Sequence, residues 1–230
     1  MYKLISYPIT DSVPTWPGNP QLQVKRYAQM AKGDVCNTCM ISIFNHTGTH
    51  YDGPNHFVSD GLQISQLPLD RFIFEHPLLL DIPKTNYEKI CPCDLQPYAL
   101  KISNCDLLML RTGFSKYRTK DNDDIKRFEE CGPAIASSCS QYLVSNFKNL
   151  SAVAVDFVSI GSFSDQEDGN LTHQILLGGK HAGAAGHFIC AIEDVNMADI
   201  NPEKLKRVFC LPIMVLGIDS APVTIIAEED

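Results

Sequence analysis

The stretch Asn45-His46-Thr47-Gly48-Thr49-His50-Tyr51-Asp52-Gly53-Pro54-Asn55-His56-Phe57 holds three histidines and an aspartate at H-x3-H-x-D-x3-H spacing. On a helix, His46 and His50 share a face, but Asp52 points elsewhere. Pro54 and the two glycines also oppose a helix. On a strand all four positions have the same parity, yet at ~3.3 Å per residue His46 and His56 stand about 33 Å apart. Neither regular form brings the four side chains to one point, so the chain has to bend. Gly48 and Gly53-Pro54 are where bending is cheap. The expectation is a strand with a tight wrap whose side chains converge on a metal. Imidazoles with a carboxylate suit zinc, and equally manganese or ferrous iron. A structural zinc site draws mostly on cysteines, and none is adjacent, so the pattern points to catalysis.

Outward from this stretch, the chain has 230 residues, 44% hydrophobic and 20% charged. That composition excludes disorder and supports a core large enough for one domain, 1–230. Net charge is −8 and no Lys/Arg cluster stands out, which excludes a nucleic-acid footprint. No apolar run approaches the ~18 residues of a membrane span, and Met1-Tyr2-Lys3-Leu4 lacks a signal pattern, so no membrane partner is expected. The nine cysteines, an odd number, lie partly in apolar runs such as Ile189-Cys190-Ala191. Reduced thiols in a cytoplasmic protein fit them best.

Short apolar runs read as buried strands at Met40–Phe44, Leu78–Ile82, Leu107–Leu110, Ala152–Val155, Phe188–Ile192 and Pro212–Gly217. Helical spacing appears over Asp124–Glu130 and Ile135–Phe147, and a shorter helix is expected over Leu171–Leu177. The proline-rich first 20 residues read as extended chain and turns. Glu228-Glu229-Asp230 reads as a solvated tail. Strands interleaved with helices predict an α/β or α+β fold.

The histidine stretch resembles the H-x-G-T-H-x-D-x-P-x-H signature of the metal-dependent cyclase family, which includes bacterial kynurenine formamidase and isatin hydrolase. Other segments agree with it. Trp16-Pro17-Gly18-Asn19-Pro20 resembles the family's W-P-G-[DN] loop, and Asp106–Gly113 its D-x-x-L-x-R-T-G strand. Val155–Ser159 resembles its G-I-D-x-x-S turn. His173-Gln174-Ile175-Leu176-Leu177 with Ile192-Glu193 resembles its H-x-x-L-L…I-x-E ending, and Pro212–Pro222 its closing strand and turn. The resemblance runs from about Ser6 to Ile226.

What the resemblance implies is a single compact α/β domain with a swivelling β/β/α fold. It makes His46, His50 and Asp52 ligands of a first metal, with Asp52 and Glu193 bridging to a second in dinuclear members. A later histidine completes that second position. In the family it lies twelve residues before the glutamate; here that count falls on His181, while the H-x-x-L-L pattern sits at His173. An insertion around Lys180–Phe188 reconciles the two, so His173 is the expected ligand, His181 the alternative and His187 a remote third. His56 becomes the general acid/base and Trp16 a wall for an aromatic amide substrate. One or two zinc ions, or manganese, and a homodimer complete the expectation. The implied activity is hydrolysis of a non-peptide C–N bond by metal-activated water: arylformamidase chemistry, N-formylkynurenine to kynurenine plus formate. Alternatives are hydrolysis of a cyclic amide such as isatin, and a metal-binding module without turnover.

Weaker patterns carry less. Cys36-x2-Cys39 has no second C-x-x-C to complete a zinc or redox motif. Gly178–Gly186 lacks the spacing of a phosphate loop, and His76 stands alone beside Pro77.

Overall fold

The computed structural model describes residues 1–119, 121–178 and 187–230. In chain order the strands are β1 (Tyr2–Leu4), β2 (Gln23–Ala28), β3 (Thr38–Ser42), β4 (His50–Asp52), β5 (Ile73–Phe74), β6 (Pro77–Asp81) and β7 (Lys89–Ile90). They continue with β8 (Leu107–Arg111), β9 (Ala134–Ile135), β10 (Ala152–Val155), β11 (Cys190–Glu193), β12 (Leu205–Pro212) and β13 (Ser220–Glu229). The helices are α1 (Pro92–Leu95), α2 (Ala99–Ile102), α3 (Asn122–Glu130), α4 (Ser137–Asn146) and α5 (Gln166–Leu176). One nine-stranded sheet runs β5-β12-β13-β4-β11-β10-β8-β6, with β1 beside β13. β6 also packs against β12, so the sheet curls most of the way round on itself. β2 with β3, and β7 with β9, form separate two-stranded ribbons.

The mixed sheet follows from how its strands are buried. β6, β8, β10 and β11 are parallel neighbours. Their side chains alternate between two apolar layers: Leu108, Leu110, Val153 and Val155 face the helices, while Leu107, Met109, Ala152 and Ala154 face Tyr51, Phe74 and the β12–β13 hairpin. Strands covered on both faces carry unbroken apolar runs, which is why these segments were visible as runs and not as alternating patterns. β4 enters antiparallel between β11 and β13, pairing His50 with Glu193 and with Pro222. The candidate metal-ligating side chains of β4 and β11 therefore gather at the carboxyl end of β11, the usual site position in open α/β sheets.

The helices begin at polar caps. Asp121 accepts from the backbone of Asp123 and Asp124 at the start of α3, and Asp165 accepts from Asp168 at the start of α5. That cap sets α5 at Gln166, five residues earlier than the Leu171 expected from apolar spacing. α4 starts at Ser137 because Ile135 is taken into β9, paired with Ile90.

Three expectations fail. Met40–Phe44 is not a buried strand: β3 ends at Ser42, and all five of its residues, Met40 and Ile41 included, are exposed in a two-stranded ribbon with β2, outside the core sheet. Pro212–Gly217 is not a buried strand: β12 ends at Pro212, and Ile213, Met214, Val215 and Leu216 are exposed. Its apolar composition mimics a core run, while Pro212 and Gly217 (φ 87) mark the end of one strand and a turn. Glu228 and Glu229 are not a solvated tail either. They lie in β13, where Glu228 pairs with Arg207 and the nearly buried Glu229 with Lys3. The cysteines are free thiols, as expected.

Candidate metal centre

The segment His46–His56 makes the predicted bend. Residues 45–48 turn, with Gly48 in the left-handed region at φ 60. β4 then puts His50 and Asp52 on one face and sends Tyr51 to the other, where it is fully buried and donates to the Arg71 carbonyl at 3.0 Å. At Gly53 the chain passes close to its neighbours: a Cβ there would meet the Asp219 carbonyl at 3.1 Å and Ile64 at 3.3 Å. The single 3-10 turn Pro54–His56 brings His56 back beside His46, with ring centroids 4.1 Å apart.

Two distant elements complete the cluster. Glu193 ends β11, opposite His50 in register. His173 lies on α5, which approaches the Gly161 loop closely because both contact positions are glycine. A Cβ on Gly169 would meet Gly161 Cα at 3.1 Å, and one on Gly161 would meet the His173 ring at 3.1 Å. His46, His50, Asp52, His56, His173, Glu193 and Trp16 all line one cavity of ≈ 460 Å³. Trp16 packs edge-on against Phe163 at 5.5 Å on its rim. His181 lies outside the described residues, as does most of the proposed insertion. His187 is not among the side chains around this cavity, and His76 is exposed.

The donor chemistry of the cluster is that of a cation site. His50 Nδ1 lies 2.8 Å from the Gly48 carbonyl, and His173 Nδ1 lies 2.8 Å from that of Gly169. A carbonyl only accepts, so in both rings Nδ1 carries the hydrogen and Nε2 offers a lone pair. Those lone pairs face carboxylates: His50 Nε2 lies 3.4 Å from Asp52 and 3.3 Å from Glu193, and His173 Nε2 lies 3.5 Å from Glu193. His46 Nδ1 adds a contact of 3.1 Å to Asp52. His50 Nε2 and both Asp52 oxygens are buried without a hydrogen-bond partner. Lone pairs aimed at buried anions repel unless positive charge lies between them, and buried charges are retained when paired or on metals. Ligand atoms of His50, Asp52 and Glu193 lie within 4.8 Å of one another, as do those of His46, Asp52 and His56. Asp52 is shared by both groups, so the residues fit one or two divalent cations.

Titration behaviour shows the same demand for positive charge. Burial alone would lower the His46 pKa, but Asp52 and Asp219 push it up to about 10. His50 and His173 are likewise raised against burial, His50 by Asp52 and Glu193 and His173 chiefly by Glu193. Burial and Asp52 would raise Glu193, yet His173 and His50 hold it at about 2. A proton or a metal ion satisfies these groups equally.

Several residues that support the site were given no role from the sequence. Ser159 Oγ and the Ile160 amide donate to Glu193 Oε1 at 2.9 and 2.7 Å. Asp194, at φ 54, directs the chain away behind Glu193, and Arg118 holds its buried carboxylate at 2.7 Å while stacking on Tyr7. Asp219 contacts both His46 and His56. Ser159 lies in a stretch already matched to a family turn. Nothing in local spacing links Asp194 or Asp219 to the histidines.

Comparison with known proteins agrees with this architecture. The model of a family described as putative cyclase matches residues 4–162. An uncharacterized protein of Haemophilus influenzae is 44% identical over 113 residues, 49% of this chain and 78% of its own. The kynurenine formamidase of Bacillus cereus is 25% identical over 219 residues, 95% of this chain and 93% of its own. Among solved structures, isatin hydrolase A of Labrenzia aggregata superposes with a TM-score of 0.81 at 15% identity, covering 99% of this chain and 93% of its own.

Proposed function

Because the chain belongs to the cyclase family, we propose that it is a metal-dependent hydrolase of a non-peptide C–N bond, an arylformamidase converting N-formylkynurenine to kynurenine and formate. The carrying observation is the set of imidazole lone pairs and buried carboxylates facing one another on a cavity that also presents His56 and Trp16. Similarity to a kynurenine formamidase along nearly the whole chain supports the choice of substrate.

In this proposal His46, His50, Asp52, His173 and Glu193 would hold the metal, zinc or manganese, as one ion or two. A divalent cation there supplies Lewis acidity and lowers the pKa of water to about 7. His56 borders the same cavity and carries the proton. Its ring takes one from the attacking water and returns it to the leaving nitrogen, a service worth about 10²–10⁴-fold in rate. Trp16, with Phe163 edge-on behind it, gives an aromatic substrate a flat apolar wall. Ser159 and the Ile160 amide keep Glu193 aimed inward. Hydrolysis of a cyclic amide is the second reading, favoured by the further aromatic walls Phe44 and Phe57, which suit a fused ring equally well.

A homodimer belongs to the same proposal. The β2–β3 ribbon exposes Val24, Tyr27, Met40 and Ile41, and Ile213–Leu216 adds a second apolar patch. Contiguous exposed apolar surface of this kind commonly marks an interface. No helix among the described residues is long and apolar enough to cross a membrane; the proposed location is the cytoplasm, where free thiols stay reduced. The test is turnover of N-formylkynurenine and of isatin by zinc- or manganese-loaded protein. Chelator-sensitive release of formate is expected. Metal bound at stoichiometry without hydrolysis of either compound would identify a binding module instead.

A further inference from the structure

Asp219 lies in the bend that leads into β13 and was assigned no role by the spacing of the histidine stretch. Three donors converge on its side chain. Oδ2 stands 3.0 Å from His46 Nε2 and 2.9 Å from His56 Nδ1, and Oδ1 accepts from the Asn45 amide at 2.8 Å. The Asp219 carbonyl in turn accepts the Gly53 amide at 2.9 Å, which ties this bend to the end of β4. An ionised carboxylate is an acceptor only, so each ring nitrogen hydrogen-bonded to Asp219 carries a hydrogen, whereas both Asp52 oxygens lack a hydrogen-bond partner. In the neutral rings the hydrogen-free nitrogens are then opposite ones: Nδ1 of His46, which faces Asp52 at 3.1 Å, and Nε2 of His56.

We propose that Asp219 is a positioning residue that fixes these two adjacent histidines in opposite tautomers, His46 as a metal ligand through Nδ1 and His56 as the proton carrier through Nε2. The division needs enforcing, because His46, Asp52 and His56 together satisfy the distances of a metal site and the two rings lie only 4.1 Å apart. With Nδ1–H held by Asp219, the free Nε2 of His56 accepts the proton of the attacking water and passes it to the leaving nitrogen, and the ring returns to its starting tautomer. With Nε2–H held by the same oxygen, His46 keeps its lone pair toward Asp52. Carboxylate partners of metal-bound histidines set tautomer and orientation in this way. An asparagine cannot replace Asp219: it offers one acceptor oxygen to three donors and adds N–H groups of its own.

The proton-transfer role of His56 rests on the hydrolase proposal, whereas the tautomers can be read without turnover. The experiment is 15N NMR of histidine-labelled full-length protein, metal-free and zinc-loaded, with His56→Gln to assign the ring. The parent should show His56 as the Nδ1–H form. Asp219→Asn and Asp219→Ala should abolish that preference, and the isosteric Asn variant keeps the test valid if the Ala variant misfolds. On the aryl formamide, Asp219→Asn should lower kcat about 10²-fold or more with KM within about twofold, and should add no further loss in a His56→Gln background. An unchanged His56 tautomer in the Asn variant would overturn the proposal. So would a loss of bound zinc as large as that of His50→Ala with the His56 tautomer intact, which would place Asp219 in the metal site itself. If the parent hydrolyses neither amide but the tautomers shift as stated, the hydrolase proposal falls and the positioning role stands.

Discussion

At the scale of single residues, partners outside the ligand set decide how well the candidate ligands are aimed. Glu193 is oriented by Ser159 Oγ and the Ile160 amide, while its other oxygen faces His50. Ser159→Ala removes one of two donors to a buried carboxylate and leaves the backbone intact. It should weaken zinc binding about tenfold to a hundredfold, the usual cost of losing such a partner. Competition with a chromophoric chelator measures this; unchanged affinity would show that the Ile160 amide suffices alone. His173→Ala, compared with His181→Ala by metal stoichiometry, separates the two histidines that the sequence left open. His46, His50, Asp52 and the bends on either side of β4 were legible because no straight element brings His46, Asp52 and His56 together, and glycine marks where a bend is cheap. Asp219 was not legible, because a lone aspartate before a strand carries no local sign of the side chains it will meet.

At the scale of elements, α5 is held near its start by close backbone packing and by an ion pair. Gly169 lets the helix backbone approach Gly161, and a Cβ at 169 would press on backbone atoms of Gly161 and Ser162 at 3.0–3.1 Å. Gly169→Ala should therefore push α5 outward, destabilise the protein by about 1–3 kcal/mol and draw His173 away from Glu193. Chemical denaturation and zinc stoichiometry read the two effects separately. At the start of the helix, Asp168 accepts from Lys89 at 2.7 Å and from the Ser137 amide at 3.3 Å. Burial would raise its pKa, but these partners lower it below the ordinary carboxylate value. A lowered folded pKa gives stability that is fully present above the unfolded value of about 3.9 and is lost as pH falls through the folded one. Asp168→Asn should cost about 0.5–1 kcal/mol at pH 7, given the partial exposure of the pair. The penalty should shrink below pH ~4, which urea midpoints at pH 7 and pH 3.5 would show. The α5 cap at Asp165 illustrates what periodicity misses: the first turn of the helix is polar, so apolar spacing began the element too late.

At the scale of the whole molecule, the sheet brings together residues from β4, α5, β11 and the bend before β13 and buries most of their charge. Paired carboxylates and lone pairs in one buried cluster make the folded state a better cation binder than the unfolded chain. Zinc or manganese at about a hundred times its dissociation constant should therefore add about 2.7 kcal/mol of stability. Thermal unfolding with and without a chelator checks this, and Asp52→Asn should abolish most of the shift. By itself the sequence determined the parallel core strands, whose unbroken apolar runs can be buried only between two layers, and the wrapped His46–His56 segment, whose spacing fits no straight element. Resemblance added Glu193 and His173, which no spacing rule joins to the histidine stretch. The tertiary structure alone decided which face each ring nitrogen meets, that Asp219 reaches two histidines, and that Pro212–Gly217 is surface. Those outcomes depend on strand pairings between residues more than a hundred positions apart, and local chemistry cannot encode a partner that only the folded sheet brings near.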